Sequence, residues 1–223
     1  YYGENAEACI DILLNCILPE NTNEIGVITP CCDEAAVVLD RHRQELTQKF
    51  KFEYSTKYSL DELSEKNLQV ELAKKAGLDI PECFTIYSFE DLPSAPPFPC
   101  ILKPLVSMKG SKMDLRVCNN KVELEKNLKE ILPHNQGIIL QRYIDKEYEY
   151  LVECCRYSDG TSVAPIIIKN TKLYPPKVGL STFHEVIPFN DGELKRKIFK
   201  LLDEMGYVGL VSVEFAKSKS DGK

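Results

Sequence analysis

The chain has 223 residues, 43% apolar and 28% charged, with 28 Lys+Arg against 34 Asp+Glu for a formal net charge of −6. This balance belongs to an ordinary globular chain and excludes disordered or collagen-like structure, while mild acidity spread along the sequence argues against nucleic acid as a partner. Apolar runs such as Pro165 to Ile168 fall far short of the ~18 residues that span a bilayer, so no transmembrane segment and no membrane partner are expected.

Nine cysteines is an odd number, and two pairs are vicinal, Cys31 with Cys32 and Cys154 with Cys155. Several lie in apolar runs, which reads as reduced, buried cysteine in a cytoplasmic protein. No CxxC occurs and His42, His134 and His184 are far apart, so no zinc site is expected. Tyr1 to Ala8 is acidic and does not resemble a signal peptide, and Lys217 to Lys223 reads as a turn. Both ends look cut, as in a piece of a longer chain.

Helical spacing over Ala6 to Leu18 is ended by the breakers of Pro19 to Asn23. A short β-branched strand, Ile25 to Thr29, is followed by Pro30 and by Asp33, which can cap a helix through Ala35, Val38, Leu39 and Leu46. The order helix, strand, helix suggests part of a parallel α/β layer. The next helix starts near Ser59 or Ser64 and ends at Gly77, with Pro81 beyond. Strands are then expected over Cys83 to Tyr87, Cys100 to Lys103 and Asp114 to Cys118, a helix over Lys121 to Ile131 and a strand over Gly137 to Tyr143. Tyr148 to Tyr157 and Ser162 to Lys169 read as a hairpin turning at Ser158, Asp159 and Gly160. A final helix, Gly192 to Met205, leads to the strand Gly209 to Ala216.

Lys103 ends an apolar strand and is fixed by Pro104, and the small, basic segment Ser107 to Lys112 follows it. Such a loop can aim N–H groups and ammonium charges at a polyphosphate, although neither GxxxxGK[ST] nor GxGxxG is present. The strand ending in Gln141, Arg142, Tyr143 and Ile144 exposes backbone groups able to read a base edge, and the carboxylates after it can accept ribose hydroxyls. Alternation in Val211 to Phe215 sets Glu214 opposite Val213 and Phe215, a placement suited to magnesium shared with phosphate oxygens.

In this order the segments resemble the ATP-grasp family from about Ser59 onward. Glu65 and Lys66 followed by Ala76 to Pro81 resemble its entry segment, and Phe98 to Pro104 (FPCILKP) its phosphate-lysine strand. Lys109, Gly110, Ser111 and Lys112 resemble the lid over the β and γ phosphates, Ile138 to Ile144 the hinge that reads adenine, and Gly206 to Phe215 the strand of the first magnesium glutamate. Lys169 to Pro176 (KNTKLYPP), followed by a turn over Gly179 to Glu185, resembles the amino-acid-ligase-like branches.

The resemblance implies an α/β protein with the ATP-grasp fold, two α+β subdomains gripping ATP, over residues 61–223 with a lid at about 81–137. Part of a Rossmann-like domain would occupy residues 1–60. It implies ATP and Mg²⁺ as cofactors, with Lys66, Lys103, Lys109 and Lys112 on phosphates, Gln141 to Ile144 on the base, Glu149 or its rival Glu147 on ribose, Glu214 on the metal, and Lys172 positioning the carboxylate or the transferred phosphoryl. The implied reaction activates a carboxylate as an acyl phosphate and joins it to an amine, with an amino acid among the small-molecule partners and a homodimer allowed. Alternatives are a carbamoyl phosphate synthetase-like enzyme and a nucleotide-binding relic. Three departures stand out: Gln141 replaces a common glutamate, the lid has one glycine, and the second metal glutamate with its asparagine and arginine would fall just past Lys223, leaving the chain as given inactive alone.

Overall fold

The computed structural model describes residues 7–17, 24–105, 115–163, 165–174, 180–220 and 222. At the N-terminal end, α1 (Ala8–Ile12) continues as a π-helical turn over Leu13–Ile17, where one helix is expected. Strand β1 (Gly26–Val27) pairs in parallel with β2 (Phe50–Lys51) across α2 (Asp33–Arg41) and α3 (Arg43–Leu46). Ile10, Val38, Leu39, Leu46 and Phe50 form its small core. This two-stranded ladder is what the described residues contain of the expected Rossmann-like layer. Asp33 does not cap α2: Cys32 occupies the cap position without a side-chain bond. Asp33 and Glu34 instead begin the helix, where carboxylates meet the positive end of its dipole. The expected helix through Leu46 breaks at His42.

After β3 (Tyr54–Ser55), the helix expected from Ser59 or Ser64 is two helices, because each candidate region supplies its own start. Ser59 and Glu62 form a capping box on α4 (Leu60–Leu63). Glu65 sits extended before α5 (Lys66–Ala76), which Gly77 ends at a left-handed φ of 82°.

The next unit is an antiparallel sheet of β4 (Cys83–Ile86), β5 (Cys100–Pro104), β6 (Arg116–Cys118) and β7 (Ile138–Arg142), ordered β4-β7-β5-β6. Helix α6 (Lys121–Ile131), capped by Asn120, buries Leu124, Leu128 and Ile131 against Ile86, Leu102, Ile138 and Leu140. Each such side chain contributes about 1.5–3 kcal/mol. Strand alternation that sends Leu102 and Leu140 into this core leaves Lys103 and Gln141 on the other face.

A second sheet, ordered β10-β9-β8-β11-β3, is made by β8 (Lys146–Arg156), β9 (Ile166–Tyr174), β10 (Leu180–Ile187) and β11 (Tyr207–Ser218) with β3. Helix α7 (Gly192–Met205), capped by Asp191, covers one face: Ile198 packs with Val152, Ile167, Val213 and Phe215, and Leu201 with Leu72 and Ala73 of α5. The hairpin turns over Ser158 to Gly160 as expected, with the Tyr157 amide donating to the Thr161 carbonyl at 2.8 Å and the Val163 amide to the Cys155 carbonyl at 3.0 Å around the Arg156–Ser162 bridge, while β9 itself begins at Ile166. One expectation changes here. The expected turn over Gly179 to Glu185 is strand from Leu180 onward, paired with β9 with register shifts near Phe183.

The eight described cysteines are free thiols; Cys100, Cys118 and Cys154 are buried, but Cys31 and Cys32 are exposed, contrary to a wholly buried set. Among the described residues no helix is long and apolar enough to cross a membrane.

Candidate functional site

A cleft of about 240 Å³ lies between the two antiparallel sheets. One wall carries Ile101 and Lys103 of β5 and Gln141 of β7; the other carries Glu149 and Leu151 of β8, Asn170 of β9, and Glu214 and Ala216 of β11. Arg142 at the end of β7, Tyr143 and Ile144 on the connection, and Lys146 at the start of β8 complete the lining.

The electrostatics centre on Lys103. Its ammonium donates to Gln141 Oε1 at 2.8 Å. Burial pushes its pKa below the usual lysine value, the positive charges of Lys146 and Lys66 push further, and Glu214 and Glu149 oppose them. Lys66 is likewise lowered by burial, with Asp33 opposing. Lys103 and Lys146 line the cleft, Lys66 lies near enough to perturb Lys103, and Glu149 is engaged in an ion pair with Lys146. A polyanion entering here would offset the mutual repulsion of these ammonium groups.

The cleft brings together Lys103, Gln141, Arg142, Tyr143, Ile144, Glu149 and Glu214, with Lys66 close enough to perturb Lys103. The two glutamates that rivalled each other part company. Glu149 lines the cleft, and Glu147 pairs with Lys217 at 3.2 Å. The Arg142 guanidinium is held by Glu82 at 2.6 Å. Lys172 is exposed, two residues along β9 from Asn170, outside the cleft lining and 5.7 Å from the Phe183 ring centre. Lys109, Gly110, Ser111 and Lys112 lie outside the described residues.

Lys146 and Asn170 escaped the sequence reading. Asn170 stands inside the KNTKLYPP segment, where charge drew attention to Lys172, and the β9–β10 register shift falls between the two. Lys146 opens a strand directly after the expected base-reading segment, a position that itself marks it.

Among the described residues no three His, Cys, Asp or Glu side chains gather as a metal centre. Glu214 makes no hydrogen bond or ion pair among them, and its neighbours Val213 and Phe215 face α7. One uncommitted carboxylate beside a phosphate-attracting cluster fits a hard cation whose other ligands are phosphate oxygens and water.

The structure of N5-carboxyaminoimidazole synthetase from Staphylococcus aureus matches 88% of this chain with a TM-score of 0.62 at 15% sequence identity. The chain has the ATP-grasp fold. It spans half (50%) of that synthetase's length. Two further ATP-grasp structures agree. D-alanine–D-alanine ligase from Bacillus anthracis, complexed with ATP, matches 82% of this chain and 60% of its own at TM-score 0.58 and 19% identity. The biotin carboxylase domain of Hydrogenobacter thermophilus 2-oxoglutarate carboxylase, in complex with MgADP, ADP and bicarbonate, matches 88% and 46% at TM-score 0.66 and 15% identity. No protein-family model and no curated protein matches the sequence.

Proposed function

We propose that the cleft grips a purine nucleoside triphosphate, with ATP as the reference case, and that the chain is the nucleotide-binding part of a carboxylate-amine ligase. The observation that carries this reading is the presence of Lys103 and Lys146 in one cleft, with Lys66 near enough to perturb Lys103, beside the Glu214 carboxylate that has no ion pair among the described residues.

The chemistry asks for charge neutralisation and positioning, since a carboxylate must meet a triphosphate against their mutual repulsion. Lys66 and Lys103 hold phosphate oxygens, and the segment with Lys109, Gly110, Ser111 and Lys112 covers them. Gln141 to Ile144 reads the base, while Glu149 accepts ribose hydroxyls. Glu214 holds Mg²⁺, which supplies further neutralisation of the phosphates when bound. The substrate carboxylate attacks the γ phosphorus, releasing the nucleoside diphosphate and forming an acyl phosphate; the amine then displaces inorganic phosphate. Lys172 positions the carboxylate or the phosphoryl group from the open end of β9. The KNTKLYPP segment supports an amino acid as one substrate.

The test is phosphate release by the intact protein with Mg²⁺ and ATP across pairs of amino acids and amines. The expected result is turnover that needs both members of one pair and yields a new C–N bond. Nucleotide binding without turnover on any pair points to a binding relic, and absence of nucleotide binding overturns the reading.

A further inference from the structure

Cys100 opens β5 and Cys118 closes β6, and the two are register partners in the antiparallel ladder. Neither exposes any surface, and both belong to the core that includes Leu124 and Leu128 of α6. Partners across a ladder carry their side chains on one face, so the two thiols meet in that core, on the face opposite Lys103. The phase of the ladder is fixed from the other side of β5. The amides of Tyr143 and Leu105 donate to the carbonyls of Pro99 and Gly137, so alternate residues from Pro99 onward turn their backbone groups away from β6, and Cys100 turns its own towards it. Cys100 and Cys118 are thus a hydrogen-bonded pair.

That position sets what the pair can form. The Cα atoms of such partners stand about 5.5 Å apart, inside the ~4.4–6.8 Å over which a disulfide closes. Their Cβ atoms lie towards the far end of the ~4.5–5.5 Å range for facing residues, beyond the ~3.5–4.5 Å that a relaxed disulfide prefers. A bond between them needs no rearrangement of the strands, but it is strained, and strain makes a disulfide easy to reduce. The two thiols are also unequal. The Cys100 thiol donates to Cys118 Sγ, which holds the Cys118 pKa below the ordinary thiol value and pushes that of Cys100 up. The Asn127 amide nitrogen donates to Cys118 Sγ as well, at 3.4 Å. Cys118 is thereby the nucleophile and Cys100 the resolving thiol. Strand β6 is three residues long and forms the edge of its sheet, so release of this short strand uncovers Cys118 while β5 and β7 stay paired.

We propose that Cys100 and Cys118 form a reversible dithiol–disulfide couple that exchanges with small disulfides of the glutathione type. The Cys118 thiolate attacks one sulfur of the oxidant, the oxidant's S–S bond breaks, and the first small thiolate leaves and takes a proton from water. Cys100 then gives up its proton and attacks the Cys118 sulfur, expelling the second small thiolate, which takes that proton. Two protein thiols are oxidised to one disulfide while the small disulfide is reduced to two thiols. The product ties the edge strand β6 to the strand that carries Lys103. The couple does not depend on the nucleotide-binding reading.

Equilibration of the intact protein in glutathione buffers of rising oxidised-to-reduced ratio, followed by acid quench, alkylation and peptide mapping, reads the couple. The expected result is a peptide pair linked through Cys100 and Cys118, whose yield rises with the ratio and falls back when reduced glutathione is restored, while the circular dichroism of the chain stays native. In Cys100→Ser a glutathione adduct should accumulate on Cys118, whereas Cys118→Ser should leave Cys100 unmodified. A pair that stays unlinked in the folded chain at every ratio, with adducts confined to other thiols such as the exposed Cys31 and Cys32, overturns the proposal. So does a link that reduced glutathione cannot break. The parent's linked yield decides the matter where a variant fails to fold.

Discussion

The backbone amide of Lys66 donates to the carbonyl of Leu105 across 3.2 Å, joining the first turn of α5 to the residue just past β5. Leu105 is itself anchored by its amide on the Gly137 carbonyl at 2.9 Å. The main chain thereby brings Lys66 towards Lys103 against their repulsion, and a polyanion meets a cluster already assembled.

Lys103→Met should separate stability from binding. Methionine keeps the length of the side chain while removing a desolvated charge crowded by Lys66 and Lys146, and the freed Gln141 oxygen can turn to water in the cleft. The melting temperature without ligand should rise, and nucleotide affinity should fall about 10- to 100-fold, the loss of one or two charge-assisted bonds. Thermal melts and calorimetry on one preparation check both. A lowered melting temperature with unchanged affinity would show the lysine to be structural.

Nucleotide binding should weaken at alkaline pH earlier than an ordinary lysine would dictate. Burial and neighbouring cations hold the Lys103 pKa below its usual value, so the ammonium loses its proton before a solvated lysine does, and affinity falls as pH rises through that lowered value. Phosphates favour the charged form, so binding in this range takes up protons. Calorimetry in buffers of different ionisation enthalpy measures that uptake. Its absence in the parent, or its persistence in Lys103→Met, would assign the effect elsewhere.

Glu214→Gln should leave the fold intact and remove turnover. The side chain faces the cleft with no ion pair among the described residues while Val213 and Phe215 carry the packing, so the melting temperature should move by no more than about 2 °C. Activity of the intact enzyme should drop and recover in part at high Mg²⁺. A large fall in melting temperature with magnesium dependence untouched would make the carboxylate structural.

Gly209 has a φ of 122°, and a Cβ there would lie 2.5 Å from the Glu53 Cβ and 2.8 Å from its Cα. Gly209→Ala should cost about 2 kcal/mol or more from backbone strain and overpacking. Gly192, at the start of α7 with nothing within 4 Å of a Cβ, provides the contrast: Gly192→Ala should stabilise by about 0.4–1 kcal/mol. Urea unfolding of the two variants checks the sign of each.

What the sequence revealed depended on how local each signal is. Helices α6 and α7 fall on the expected residues because their caps, Asn120 and Asp191, and their apolar stripes are adjacent in sequence. Glu214 was legible through alternation in β11, which needs only its nearest neighbours. Strand β10 was not, since its exposed Phe183 and Val186 break the alternation that marks a half-buried strand. Asn170 and the Lys103 to Gln141 bond were hidden for another reason: they depend on which strands lie side by side, and residues 38 positions apart meet only once β5 and β7 pair.

Both passages of the chain between the two sheets lie next to each other. Arg142, which ends β7, donates its amide to the Glu82 carbonyl at 2.8 Å and pairs its guanidinium with the Glu82 carboxylate at 2.6 Å. Beyond it only Tyr143 to Asp145 separate β7 from β8. Two crossings side by side would act like coaxial door pins for any rotation of one sheet against the other, with displacement least at Gln141 and growing with distance from Arg142. On that geometry, exchange at the Lys66 amide, which ties α5 to Leu105, should slow when nucleotide is added, while exchange across the β7 ladder stays constant.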